Sequence, residues 1–149
     1  MGLKNTFSKA LSEMRRKSLY KAIEQVEDPT NSAKYAIARN FGKIVPRYLE
    51  NTKALLHAVQ KENFEAFQMM LTAASTENAE IDFGIGKEWE EVHRLVEASS
   101  DPRYSARLER YHQDMKVISA NKMEAENQER FNYAERRYTP RNRKSFSPN

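Results

Sequence analysis

The stretch LLHAVQKENFEAFQMML, residues 55–71, decides how this chain is read. Leu55, Leu56, Ala58 and Val59 would form one helix face, and Phe64, Phe67, Met70 and Leu71 another, because residues three and four apart meet on one side of an α-helix. Between the two runs stands the polar joint Gln60-Lys61-Glu62-Asn63. The order is helix, joint, helix. Only 4 Gly and 5 Pro occur in 149 residues, which argues against a turn-rich all-β protein.

The same order recurs on either side. LYKAIEQVEDPTNSAK (19–34) and VHRLVEASSDPRYSAR (92–107) both read as a helix, a joint and a restarted helix. In each joint an Asp can accept hydrogen bonds from the free N–H groups of a helix start, and the following Pro suits the first helical position. Leu19 lies 36 residues before Leu55, and Val92 lies 37 after it. Beyond the second joint Tyr104, Leu108, Tyr111, Met115 and Ile118 step by 4, 3, 4 and 3, a seam of about two heptads. The expected fold is all-α: helical hairpins stacked as a short repeat array or an irregular bundle, with a long C-terminal helix. Its core would hold Leu19, Ile23, Leu55, Leu56, Val59, Phe67, Leu71, Leu95, Leu108 and Met115. Residues 75–89 hold polar side chains and then two glycines, so they read as a long loop with room for a short extended piece.

Residues 55–71 resemble the two-helix part of an ankyrin repeat, with a small residue at Ala58, a polar joint at Glu62-Asn63 and an apolar pair at Met70-Leu71. The resemblance covers 17 residues, lacks the opening Thr-Pro and has Glu62 where that repeat usually has glycine. It implies a helical-hairpin repeat protein. RLERYH (107–112) resembles the Arg-x4-His signature of the HEPN ribonucleases, which are small all-α proteins. That resemblance implies Arg107 and His112 at a dimer cleft, the guanidinium holding an RNA phosphate and the imidazole moving protons. Leu108 stands where that family usually has a polar residue.

Charge divides the chain differently. Residues 1–21 carry +5 and residues 136–149 carry +5, while the 114 residues between them carry −6. The N-terminal candidates for anion or nucleic-acid binding are Arg15, Arg16 and Lys17; the C-terminal ones are Arg136, Arg137, Arg141, Arg143 and Lys144. Residues 1–17 read as an amphipathic helix with Leu3, Phe7, Ala10, Leu11 and Met14 on one stripe. That stripe suits either core packing or an anionic membrane surface. Residues 18–118 are the expected helical core domain, 119–138 a polar helix and 139–149 a disordered basic tail.

The chain has no Cys, and its three His show no metal-binding spacing, so disulfides and thiolate chemistry are excluded and no metal or other cofactor is expected. Gly84-x-Gly86-Lys87 lacks the spacing and hydroxyl of a phosphate loop. Trp89, the single Trp, is a candidate for docking a partner or for anchoring the loop before it. No apolar run is long enough to span a membrane and no signal-peptide core is visible, which points to a soluble protein, cytoplasmic or exported without a signal peptide. The function expected from all this is a non-enzymatic interaction module, an adaptor, scaffold or assembly subunit. Another protein is the first partner expected, nucleic acid or an anionic membrane the alternatives through the basic ends, and an oligomer is compatible with it. A HEPN-like ribonuclease is the enzymatic alternative.

Overall fold

The computed structural model describes residues 3–26, 31–76, 79 and 81–138. Asp28-Pro29 of the first joint and the tail 139–149 lie outside the described residues. Among the described residues six α-helices run in order: α1 Leu3–Ile23, α2 Asn31–Asn40, α3 Arg47–Gln60, α4 Phe64–Ala74, α5 Lys87–Ala98 and α6 Pro102–Tyr138. The protein is all-α, and no described residue forms a strand. It divides into two compact units, Met1–Tyr111 and His112–Asn149.

In the first unit α1 packs on α2 and α3, α2 on α4, and α3 on α4, so four helices close a ring of neighbours; α5 lies against α3. Leu19, Ile23, Leu55, Val59, Phe67, Leu71 and Leu108 are all buried, as their spacing requires. Leu56 and Leu95 are only half-buried. On α5 the four-residue pair Val92 and Val96 takes the inward face, which turns Leu95 to the side. Leu56 instead lines a cleft beside Tyr20 and His57. Met115, expected in the core, belongs to the second unit and is half-buried.

No break occurs between 17 and 18: the stretch around them holds neither Gly nor Pro, so α1 continues unbroken to Ile23. The first unit closes at Tyr111.

The joint at 60–63 is built in detail. The Asn63 amide N–H reaches back to the Ala58 carbonyl at 2.9 Å, and the Glu62 N–H to Val59 at 3.1 Å. This pair of bonds closes the end of α3 and requires a left-handed residue at Glu62, whose φ is 57°. Glycine adopts that conformation without cost; a residue with a Cβ does not. Asn63 then starts α4, its side-chain oxygen accepting from Ala66 N–H at 3.1 Å. Its side-chain amide donates to the Ile23 carbonyl at 2.8 Å, the free end of α1. One buried residue, 4% exposed, therefore joins three helices.

At the second joint Asp101 accepts from Arg103 N–H at 3.0 Å, with Pro102 the first residue of α6, as the Asp-Pro pattern predicts. Arg103 also pairs with Asp101 and lays its guanidinium over the Phe64 ring, 4.4 Å from the centroid. Tyr104 packs edge-on to Phe64 and Phe67. The loop at 81–86 is strapped to α3: Gly84 N–H donates to Thr52 Oγ1 at 2.7 Å, and the Asn51 amide donates to the Asp82 carbonyl at 3.0 Å. These bonds account for two buried polar residues on a helix that otherwise faces the core.

The joint yields a pair of opposite effects. Asn63→Ala removes a cap and strands the Ile23 carbonyl, and is expected to cost about 2–3 kcal/mol in denaturant unfolding. Glu62→Gly relieves the left-handed backbone and is expected to gain roughly 0.5–1 kcal/mol. If Asn63→Ala is neutral, the joint does not hold the three helices. The buried tyrosines give a pH effect. Burial pushes the Tyr104 and Tyr111 hydroxyls up to about 12 from an ordinary value of 10. The folded state therefore favours the protonated phenols; this stability is whole below pH ~10 and is lost as pH climbs towards ~12. The double variant Tyr104→Phe/Tyr111→Phe should lose less of its melting temperature over that interval than the wild type.

Candidate interaction surfaces

The face of α1 that enters the fold carries Leu19, Ala22 and Ile23, all buried. Phe7 and Met14 lie between about 120° and 180° around the helix from Leu19 and Ile23, and about 60° to 80° from Ala22, at 100° per residue. They are 71% and 69% exposed, and Leu11 is exposed beside them. The stripe expected either to pack in the core or to meet a surface thus faces solvent. Three large apolar side chains in register on one exposed face are more than the isolated apolar residues common on any surface.

The basic residues around that stripe divide into two groups. Arg16 is committed to the fold: its Nη2 donates to Glu50 Oε1 at 2.8 Å and its Nε to Glu50 Oε2 at 3.2 Å, with Glu13 on its third nitrogen. The Glu50 hydrogen bonds are the chief cause that raises the Arg16 pKa above its ordinary value. Glu50 is 7% exposed while Arg16 is about 29% exposed, so this fork fixes α1 to α3 at the edge of the core. Arg15 donates to the Lys43 carbonyl. Lys9, Lys17 and Lys21 are exposed and form no ion pair among the described residues. Of the expected N-terminal anion-binding set, Lys17 is the member with its charge directed to solvent. Lys21 joins it beside the stripe, whereas Lys9 lies about 140° to 160° around the helix from Phe7, Leu11 and Met14.

Trp89 is half-buried and anchors the loop: it stacks on Phe83 at 5.4 Å with the rings 12° from parallel, and meets His93 edge-on at 4.7 Å. Tyr111 packs edge-on to Phe83 at the same cluster. Arg107 donates to Thr72 Oγ1 at 3.1 Å, tying α6 to α4. His112 is half-buried and begins the second unit. Arg136 and Arg137 are exposed at the end of α6, and Arg136 donates back to the Asn132 carbonyl. Arg141, Arg143 and Lys144 lie outside the described residues.

The first unit also carries two concave sites. A cleft of about 360 Å³ between α1 and α3 is lined by Tyr20, Glu24, Lys53, Leu56, His57 and Gln60. In it His57 Nε2 lies 3.0 Å from Glu24 Oε1, and the Tyr20 ring meets the imidazole edge-on at 4.8 Å. A carboxylate-held imidazole can pass protons, yet none of the lining residues is a serine, threonine or cysteine for it to activate. The second is a mostly apolar groove of about 470 Å³ between α2 and α4, with Ile37, Phe41, Met69, Met70 and Ile81 in its walls. No three His, Asp or Glu among the described residues are grouped to hold a metal ion. No protein-family model, curated protein or solved structure matches this chain.

Proposed function

We propose that this chain is a non-enzymatic all-α interaction module, with α1 as the helix that docks and an anionic membrane surface as what it docks on. The observation that carries this reading is the pairing of an exposed stripe, Phe7, Leu11 and Met14, with exposed Lys17 and Lys21, which lie within about 80° of Phe7 and Met14 around the helix and form no ion pair among the described residues. Apolar side chains enter the acyl boundary while lysines meet phosphate headgroups. Leu19 and Ile23, which carry α1 onto the first unit, lie about 120° to 180° around the helix from Phe7 and Met14. No described helix is long and apolar enough to cross a membrane, so attachment would be peripheral. Nucleic-acid binding through the basic ends has weaker support, because it leaves the apolar stripe unused and Arg16 is already paired.

Flotation with vesicles tests this directly. The full chain should float with phosphatidylcholine vesicles containing phosphatidylglycerol and not with phosphatidylcholine alone, and less so at about 0.15 M salt than at low salt. Phe7→Ser/Met14→Ser should cut partitioning tenfold or more, since burying such a side chain is worth about 1.5–3 kcal/mol. Lys17→Glu/Lys21→Glu should also cut it at unchanged helicity. Absence of flotation at low salt would end the membrane reading. Salt-sensitive binding of single-stranded RNA that Phe7→Ser/Met14→Ser leaves intact would favour nucleic acid.

A further inference from the structure

The second unit needs a separate explanation. Every residue from 119 to 137 is exposed, so this length of α6 buries no side chain. A helix without tertiary burial is marginal unless side-chain pairs or a partner support it. Pairs at i,i+4 are available, Lys122 with Glu126 and Glu126 with Arg130, but each adds only about 0.2–0.5 kcal/mol.

The segment is less uniformly polar than its composition suggests. Ala120, Met123, Asn127, Phe131 and Ala134 follow steps of 3, 4, 4 and 3, with Val117 preceding them. At 100° per residue those five fall within an arc of about 80°, with Val117 at its edge. Met123 is 65% exposed, Phe131 63% and Val117 59%. Ala120 to Phe131 and Met123 to Ala134 are each eleven residues, the period of nearly straight or slightly right-handed paired helices rather than of a heptad coil. This stripe lies on a different face from the heptad seam, whose next positions after Ile118 are Lys122, Ala125 and Glu129.

The charges beside the stripe identify what covers it. Along the stripe Glu124 and Glu135 border one edge, and Arg130 and Arg137 border the other. When two copies of such a helix lie parallel about a two-fold axis, the acidic edge of each meets the basic edge of the other. In an antiparallel pair like edges would meet and repel. Residues 112–138 hold five acidic and five basic side chains, so two copies approach without net repulsion. We infer that residues 117–134 of α6 pair in parallel with the same segment of a second copy of this chain. Met123 and Phe131 form the contact, Arg130 of one copy faces Glu135 of the second copy, and Asn127 meets its own counterpart to hold the register. This inference stands on α6 alone and is independent of the α1 reading.

Sedimentation equilibrium of the full chain over low to high micromolar concentration should show a monomer of 17.4 kDa giving way to twice that mass. Phe131→Glu, and separately Met123→Glu, should keep the protein monomeric at every concentration with its melting temperature unchanged. Asn127→Leu should tighten the pair by tenfold or more. Because the chain has no Cys, direction can be read by oxidation. Ala120→Cys alone should form a disulfide-linked dimer. A mixture with Ala134→Cys should give no preferential link between positions 120 and 134. Monomer at all concentrations would overturn the inference, and so would a dimer that survives Phe131→Glu. A preferential 120–134 link would overturn the parallel arrangement.

Discussion

The buried side chain of Asn63 is the constraint on which the first unit depends. Its backbone closes α3, its oxygen opens α4 and its amide nitrogen takes the last carbonyl of α1. A helix end inside a protein leaves carbonyls that must find donors, and a donor supplied by a neighbouring helix fixes position as well as satisfying the bond. The Arg16–Glu50 fork then fixes the rotation of α1 about its own axis. Together these two contacts decide which side of α1 enters the core, and so which side, Phe7, Leu11 and Met14, is left to solvent.

Most of the architecture was legible because helical periodicity is a local property. The two apolar runs of 55–71 and the Asp101-Pro102 cap fell where spacing and cap chemistry put them. The half-buried positions of Leu56 and Leu95 were not legible, since on a helix with several apolar residues the inward face is selected by the partner helix, which periodicity does not name. The same limit applied to α1. Its amphipathic pattern was plain, but the stripe with the larger side chains proved to be the outer one, because the shorter run Leu19, Ala22 and Ile23 had the better-placed neighbours.

Charge was legible as a sum and not as a surface. The strong positive balance of residues 1–21 counts Arg15 and Arg16 equally with the lysines. The fold separates them: arginine's planar fork is used for a bidentate internal contact, while the flexible lysines stay hydrated. Glu50, 34 residues from Arg16, could be recognised as its counterion only once α1 and α3 lay side by side. Likewise the eleven-residue stripe of α6 is weak in composition, with two alanines and an asparagine, and gains meaning from being wholly uncovered.

The bond from Asn63 to Ile23 spans forty residues, whereas the bonds that shape the joint itself span three to five. Closing a short loop costs less chain entropy than closing a long one, so the α3–α4 hairpin can assemble before α1 is in place. The order of synthesis is the reverse, with α1 made first. For the interval in which α3 and α4 are still being made, α1 is an amphipathic helix with both of its apolar faces open, one waiting for the hairpin and one that the finished fold never covers.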